Sequence, residues 1–305
     1  MKIASLLPSA TEIVYALGLG DDLIGVTDEC DFPADAVTKP VISRSAIGQG
    51  PRPLSAREID RAVRERMGAE EPLYILDKDL LRREQPDLII TQDLCRVCAV
   101  PAGHVEQALE ELGTTQAKVL SLDPTSLDDV ITQIETVGAL VDKQDRAAEL
   151  TAILRARVAR VKEIAARLPA VTAFCLDWSE PPFVAGHWIP EMVNLAGGVN
   201  LLNEPEKPSL EIAWHEVRDA APEVVVFMPC GYYLDEAEEE AQSFLHQAEF
   251  ADSPAARNGN VFAVDATSFF SRPGPRLVDG LEILAWAVHP EAYPEPPPGT
   301  ITRLR

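Results

Sequence analysis

Cys95 and Cys98, separated by two residues, are the closest pair of cysteines in the sequence. They follow an apolar run and precede a helical pattern, and a thiolate near a helix N-terminus has a lowered pKa. The pair predicts either a redox role or two ligands of a metal site that His104 and Cys30 would have to complete. The alternatives are two unreactive cysteines, or a thiol contact to a bound metal complex.

Motifs for hydrolysis and for phosphate binding are absent from the sequence. It contains no Gly-x-Ser-x-Gly, no His-Glu-x-x-His and no phosphate loop with Gly-Lys-Ser/Thr. Gly18-Leu19-Gly20 ends a helical pattern instead of opening one, so it differs from a dinucleotide fingerprint. The sequence therefore predicts a protein without enzymatic activity.

Aromatic side chains gather in segments that directly follow predicted strands. Aromatic residues are only 6% of the chain, and the carboxyl ends of parallel strands are where α/β proteins bind ligands. Exposed aromatics with a few polar groups suit a large, flat, partly apolar ligand. We expect apolar contacts from Phe183, Trp188, Phe269 and Phe270, and an anion contact from Arg272.

Short apolar runs alternate with helical patterns along the chain, which predicts α/β layering around mostly parallel sheets. The runs are continuous, as expected for strands covered on both faces. The predicted strands are 3–7, 23–26, 88–91, 118–122, 171–176, 224–228 and 261–264. The predicted helices are 11–17, 105–112, 127–141 and 191–195.

Three segments carry more specific expectations. Ser9 is predicted to cap the first helix, with Glu12 completing a capping box. Region 45–73 is predicted to be a loop insertion that contains a charged helix, 55–67. Region 290–305 holds five prolines, four of them between 294 and 298, and is predicted to be an extended surface tail.

Residues 145–168 contain neither Gly nor Pro, and apolar side chains recur there in steps of three and four. This spacing predicts one amphipathic helix of roughly 35 Å, ended by Pro169. A second α/β series follows, so we expect an N-terminal lobe (1–144), a connecting helix (145–168) and a C-terminal lobe (169–305). An ordinary long surface helix within one larger domain is the alternative.

The formal net charge of −22 makes binding to nucleic acid or to anionic lipid unfavourable. No run of about 18 apolar residues exists, so we expect no membrane insertion. Pro8 interrupts the apolar N-terminus before a secretory signal of normal length. Five scattered cysteines are typical of reduced thiols. The sequence as written thus favours the cytoplasm, and a periplasmic or cell-surface location if an export signal was removed.

Several motifs in order along the chain resemble the substrate-binding proteins of cobalamin and ferric-siderophore ABC transporters, and the cobalamin-binding branch most. The segments that carry the resemblance are 4–12, 16–18, 25–26, 31–33, 85–90, 197–200, 272–276 and 280–282. The resemblance implies two Rossmann-like α/β lobes joined by one long rigid helix, with a ligand cleft between the lobes. It also implies an ABC transporter permease as partner.

Matched by position, the resemblance implies a set of cleft-lining residues. They are Pro8, Ser9, Thr11, Glu29, Cys30, Asp93, Leu94, Cys95, Phe183, His187, Trp188, Ser268, Phe269, Phe270 and Arg272. Cobalamin binders of this type have aromatic side chains where Glu29 and Asp93 stand here, and region 45–73 has no counterpart in them.

Three functions remain open on the sequence alone, and the third is a pure interaction module. The first is binding, without catalysis, of a corrinoid or related metal chelate as a small-molecule ligand, with no resident cofactor. The alternative is a cytoplasmic metal or redox protein, or an enzyme, on the same scaffold, with Cys95 and Cys98 at its centre.

Overall fold

Two sets of strands, each with its own helices, build two structural units. The computed structural model describes residues 1–48, 54–94, 99–112, 116–245 and 248–304. Unit 1 comprises Met1–Pro124 and Thr132–Glu149, and unit 2 comprises Thr125–Ile131 and Leu150–Arg305. The expected α/β class with two sheets is confirmed. The boundaries expected at 144 and 168 stay a prediction.

Unit 1 is built on a sheet whose strand order is β4-β3-β2-β1-β5-β6, parallel throughout the described residues except between β3 and β4. Strands β1 and β5 are fully buried because their apolar runs are covered on both faces. The strands are β1 Ile3–Ser5, β2 Leu23–Thr27, β3 Val41–Ser45, β4 Tyr74–Leu76, β5 Leu88–Thr91 and β6 Lys118–Ser121.

The first helix begins earlier than the sequence predicted. Its bounds are Pro8–Ala16, with Leu7 at the N-cap and no capping side chain. Pro8 is favoured at the first helical position because its fixed φ suits the helix and it has no N–H to satisfy. The prediction that Ser9 caps this helix is therefore wrong. The helices are α1 Pro8–Ala16, α2 Ala56–Gly68, α3 Lys78–Glu84, α4 Ala102–Glu111 and α5 Leu127–Leu140.

Region 45–73 is more regular than a loop insertion. The charged helix expected there is present as α2, and Ser55 and Glu58 form a capping box at its start. The chain then forms β4, which pairs antiparallel with β3 and becomes the edge strand of the sheet. Residues 49–53 lie outside the described residues.

The long helix predicted in the middle of the chain is present as α6, Gln144–Ala165, with 22 residues. At 1.5 Å per residue this is about 33 Å. In unit 2, the Arg157 guanidinium donates to Asp279 at 2.5 Å and to Glu282 at 2.7 Å. These half-buried carboxylates raise the pKa of Arg157. The ion pairs hold α6 against the helix at 277–288.

Unit 2 is built on a seven-stranded sheet in the described residues, ordered β10-β8-β7-β11-β12-β13, with β9 also beside β7. Neighbours β9, β7, β11 and β12 run parallel, whereas β8, β10 and β13 are antiparallel additions. The strands are β7 Val171–Ser179, β8 Pro182–Val184, β9 Gly198–Asn200, β10 Leu210–Glu211, β11 Val224–Phe227, β12 Val261–Val264 and β13 Ile301–Arg303.

The C-terminal segment is part of the fold of unit 2. Strand β13 pairs with β12, Leu304 is buried, and the Tyr293 hydroxyl donates to the Val161 carbonyl at 2.9 Å. The prediction of an extended surface tail is therefore wrong for these residues. The helices of unit 2 after α6 are α7 Ile189–Leu195, α8 Trp214–Ala220, α9 Leu234–Phe244, α10 Ala248–Ala251, α11 Pro254–Arg257, α12 Ala266–Phe269 and α13 Leu277–Val288.

Candidate ligand-binding site

In unit 1, a chain of hydrogen bonds joins the carboxyl ends of β1 and β2. The Ser5 hydroxyl donates to the Leu7 carbonyl at 2.9 Å, and the Thr11 hydroxyl donates to Ser5 Oγ at 2.8 Å. Cys30 Sγ lies 3.1 Å from Thr11 Oγ1 and 3.4 Å from Thr27 Oγ1.

All hydrogen bonds in this network run in one direction, because of the number of protons available. Each hydroxyl or thiol has a single proton to donate. Because Thr11 gives its proton to Ser5, the Cys30 thiol must donate to Thr11, and the Thr27 hydroxyl then donates to Cys30. The Glu29 amide donates to Thr27 Oγ1 at 3.1 Å. Thr11 and Cys30 are thus buried members of a structural network, and Ser9 is 1% exposed.

Asp93 supports the loop after β5. Its Oδ1 accepts the Ala102 amide at the start of α4 at 2.9 Å, and its Oδ2 accepts the Ser121 hydroxyl at 3.3 Å. Asp123 in turn accepts the backbone amides of Asp93 and Leu94. Asp93 thus stabilises this loop, at a position where the resemblance implied an aromatic residue. Glu29, the other such position, is exposed.

In unit 2, a β-bulge shapes the carboxyl end of β7. Leu176 lies opposite Val184 and Trp178 opposite Phe183, which leaves Asp177 as the extra residue on β7. Bulges re-aim the side chains beside them and are frequent next to functional sites. Trp178 and Phe183 are both half-buried, and directly opposed residues share one face of a sheet.

Tyr232, in the segment after β11, extends this pair. Its ring meets Trp178 edge-on, with centroids 5.7 Å apart and planes at 76°. Since β8, β7 and β11 are consecutive in the sheet, Phe183, Trp178 and Tyr232 form a half-buried aromatic row along its carboxyl edge. The sequence prediction included Phe183 only. The signal for the other two was their position directly after strands.

Two carboxyl groups beside the row have raised pKa values. Burial raises the pKa of Asp177 to about 6, against the opposing hydrogen bond from Ser209 Oγ. Burial also raises the pKa of Glu240 to about 7; its hydrogen bond with Tyr232 opposes this shift and the nearby Glu180 charge adds to it. Burial and the nearby Glu240 raise the pKa of Tyr232.

Cys175, on β7 beside this edge, is a buried free cysteine. Burial raises the pKa of its thiol to about 12. A thiol that stays protonated is a poor nucleophile, so Cys175 is a packing residue.

His187 and Trp188 occupy the segment before α7. Trp188 is 6% exposed, and its indole N–H donates to the carbonyl of Phe270, itself 2% exposed, at 2.9 Å. Burial lowers the pKa of His187, whose φ is +53°. Trp188 and Phe270 therefore belong to the interior of unit 2, and a ligand contact from either stays a prediction.

The remaining predicted residues lie around α12. Ser268 is buried, and its amide is capped by Asp265 Oδ1 at 2.9 Å. Phe269 is half-buried, with the Arg276 guanidinium 5.7 Å from its ring centroid. Arg272 is 8% exposed. The expected anion contact of Arg272 stays a prediction.

Cys95 and Cys98 lie outside the described residues. Within the described part of the chain, no group of three or more His, Cys, Asp or Glu side chains is arranged to hold a metal ion. Cys30, which with His104 would have to complete the metal site, is hydrogen-bonded to Thr11 and Thr27.

Comparison with known proteins shows which family the chain belongs to. A family model described as "Periplasmic binding protein" matches residues 3–267, most of the chain.

The chain belongs to the periplasmic binding protein family. Among curated proteins it is similar to the vitamin B12-binding protein of Vibrio cholerae, with 26% identity over 284 residues, 92% of this chain and 86% of that protein. It is also similar to the vitamin B12-binding protein of Yersinia pestis, with 24% identity over 227 residues, 74% of this chain and 68% of that protein. Both relatives are named for binding a vitamin, which gives the enzyme or redox alternative no support.

Solved structures share the fold of this protein. A periplasmic heme-binding protein of Pseudomonas aeruginosa has a TM-score of 0.72 and 21% identity, and the match covers 100% of this chain and 99% of that one. The periplasmic vitamin B12-binding protein of Vibrio cholerae has a TM-score of 0.66 and 23% identity, over 94% and 96% of the two chains.

No helix within the described residues of this protein has both the length and the apolar character needed to cross a bilayer.

Proposed function

We propose that this protein binds a corrinoid, or a related metal chelate, without catalysis. The aromatic row at the carboxyl edge of unit 2 is the observation that carries the proposal. Its three rings are half-buried, so they combine apolar surface with access from solvent. A large, flat, partly apolar macrocycle is the ligand class that such a surface suits.

The polar groups beside the row support the same ligand class. A tyrosine hydroxyl and carboxyl groups lie next to the rings, as does the aspartate of the bulge. A corrinoid has an apolar ring face and a rim of amides, which need hydrogen-bond partners. In unit 1, the strand-end residues Pro8, Glu29 and Leu94 stay predicted ligand contacts.

The names of the curated relatives favour corrinoids over other chelates. Family membership supports a role as the substrate-binding component of an ABC transporter, with a permease as partner. The periplasmic names of the structural neighbours favour a location outside the cytoplasm.

Calorimetric titration with cyanocobalamin and with dicyanocobinamide tests the proposal. We expect binding of at least one of them, and weakening by about tenfold or more in Trp178→Ala, because a central aromatic contact is lost. Val199→Ala is the matched control, since Val199 is an exposed apolar residue on β9 at the opposite end of β7. The absence of heat with both corrinoids would reject the proposal.

A further inference from the structure

The first turn of α1 carries hydrogen-bond donors for which the helix itself has no acceptor. The first amide to donate within this helix is that of Thr11, which donates to the Leu7 carbonyl at 3.3 Å. Pro8 has no N–H, so the amides of Ser9 and Ala10 remain as donors at the helix end. Leu7, at the N-cap, offers no side-chain acceptor.

The Ser9 hydroxyl is a third donor in the same turn. Ser9 is 1% exposed, and its Oγ atom has no hydrogen-bond partner among the described residues. Standard bond lengths keep a serine Oγ within about 4 Å of its own amide nitrogen in every rotamer, so the hydroxyl and the amide share one location. A buried polar group without a partner is unfavourable and rare in native proteins, and it therefore points to a ligand that is bound there.

This turn lies at a position in the sheet where α/β proteins bind ligands. The strand order β4-β3-β2-β1-β5-β6 changes direction at β1, because the chain first builds the sheet towards β4 and then continues on the other side with β5. Ser5, the last residue of β1, pairs in parallel with Ile90 of β5, so α1 begins where both strands end. Open parallel sheets bind ligands outside the carboxyl ends of their strands at such a switch point.

The charge and the number of these donors indicate the chemistry of the ligand. The aligned peptide dipoles of a helix place partial positive charge at its N-terminus, which favours an anion there. The first turn contains no acidic residue, and Glu12 stands in the second turn. Two amides and one hydroxyl are three donors, and a phosphoryl group offers each of them a separate oxygen, whereas a carboxylate has only two.

We propose that the first turn of α1 binds a phosphoryl group through the amides of Ser9 and Ala10 and the hydroxyl of Ser9. Two sources share this chemistry: inorganic phosphate, and the phosphodiester that joins the nucleotide to the corrin ring in complete cobalamins. The anion site is independent of the proposed function, because inorganic phosphate tests it without a corrinoid. Only the assignment of the site to the phosphodiester rests on that function.

Titration of the full chain with inorganic phosphate at constant ionic strength, followed in amide NMR spectra, tests the site. We expect saturable shifts of the Ser9 and Ala10 amide signals, weaker binding of acetate, and no saturable shift with chloride. Ser9→Ala should weaken phosphate binding by about tenfold, because a hydrogen bond to a charged partner is lost.

Ser43→Ala is the matched control for this titration. Ser43 lies on β3 and is 0% exposed, and its Oγ atom likewise has no hydrogen-bond partner among the described residues. Its removal should leave the phosphate dissociation constant unchanged. Both variants remove a hydroxyl without a partner, so we expect both to fold. Phosphate should then raise the Tm of the wild type and of Ser43→Ala more than that of Ser9→Ala, because binding to the native state stabilises it.

Cyanocobalamin and dicyanocobinamide, which lacks the phosphodiester and the nucleotide, distinguish the two sources. If the phosphodiester occupies the first turn of α1, Ser9→Ala weakens cyanocobalamin binding by about tenfold and leaves dicyanocobinamide binding unchanged, and phosphate competes with cyanocobalamin. If Ser9→Ala changes the affinity for phosphate but for neither corrinoid, inorganic phosphate is the ligand of this turn.

The outcomes separate the anion site from the proposed function. Phosphate shifts that do not saturate, or equal phosphate dissociation constants of the wild type and Ser9→Ala, overturn the anion site whether or not corrinoids bind. Saturable phosphate binding that Ser9→Ala weakens, in a protein that binds neither corrinoid, retains the anion site and rejects the proposed function.

Discussion

Ser209 Oγ donates a hydrogen bond of 2.5 Å to Oδ2 of Asp177. The two residues are 32 positions apart, and the bond ties the end of the 201–209 loop to the bulge on β7. It favours the ionised carboxyl group, but burial outweighs it, and the pKa of Asp177 is raised to about 6. Burial of the ionised Asp177 carboxyl group beside the aromatic row therefore lowers the free energy of unfolding.

The pH dependence of stability should reveal this cost. The folded-state pKa of Asp177 lies above its ordinary value of 3.8, so the native state binds this proton more tightly than the unfolded state. The stabilising contribution of the protonated group is complete below pH 3.8 and is lost as pH rises through about 6. Asp177→Asn removes the ionisation and retains an acceptor for Ser209. At pH 7.5 we expect it to raise the free energy of unfolding by about 1–2 kcal/mol.

Urea unfolding at a series of pH values measures this effect. The gain in Asp177→Asn should shrink towards zero as pH falls from 7 to 4. Asp252→Asn, at an exposed aspartate, is the control for general charge removal. A difference between Asp177→Asn and the wild type that is independent of pH would contradict the interpretation.

The hydrogen-bond chain through Cys30 predicts an ordered series of variants. Cys30→Ser keeps one donor and one acceptor and should lower the free energy of unfolding by less than about 1 kcal/mol. Cys30→Ala leaves the Thr11 and Thr27 hydroxyls without their partner and opens a small cavity, so we expect a loss of about 2–3 kcal/mol. Thermal and urea unfolding provide the measurement. Cys230→Ala, at an exposed cysteine, should change little. An equal loss of unfolding free energy in Cys30→Ser and Cys30→Ala would contradict this hydrogen-bond network.

Gly186 permits a close approach of backbone to backbone. A Cβ atom there would lie 2.4 Å from Pro208 C and Ser209 N, and 2.5 Å from the Lys207 carbonyl oxygen. Gly186→Ala should therefore displace the 201–209 loop and destabilise the protein by about 1–3 kcal/mol. Gly103→Ala is the control, because a Cβ in that helix meets no atom within 4 Å. The Gly103→Ala change should leave stability unchanged or raise it by up to about 1 kcal/mol.

Corrinoid affinity should fall in Gly186→Ala and stay unchanged in Gly103→Ala. A stable Gly186→Ala variant with unchanged corrinoid affinity would show that the position of the 201–209 loop does not affect binding.

The elements that the sequence predicted are those recognisable from a continuous local pattern of residue types. Strands β5 and β12 have the predicted bounds because each is an unbroken apolar run between polar residues. Helix α6 was evident from its length and spacing. The short strands β9 and β10 were missed because their residues are largely exposed, and their pairing depends on strands distant in sequence. The same reason explains β13, whose partner β12 lies about 40 residues earlier.

The site was harder to predict than the fold. Phe183 and Trp178 become neighbours through the two-residue turn that joins Ser179 to Pro182, which apolar spacing does not reveal. The role of Glu240 depends on burial of a helix face against Tyr232, a tertiary property. Conversely, Trp188 and Phe270 look like ligand-binding aromatics in sequence, yet the indole N–H of Trp188 is used within the unit.

The unidirectional proton order from Glu29 to Leu7 has a consequence for association. Each hydroxyl and thiol of this chain already has its hydrogen-bond partners, so a ligand at the proposed Pro8 contact would restrict few further side-chain torsions. We expect a ligand to bind at this contact without a preceding or following rearrangement of these side chains. Any slow, ordering step in the kinetics would then have to arise elsewhere in the molecule.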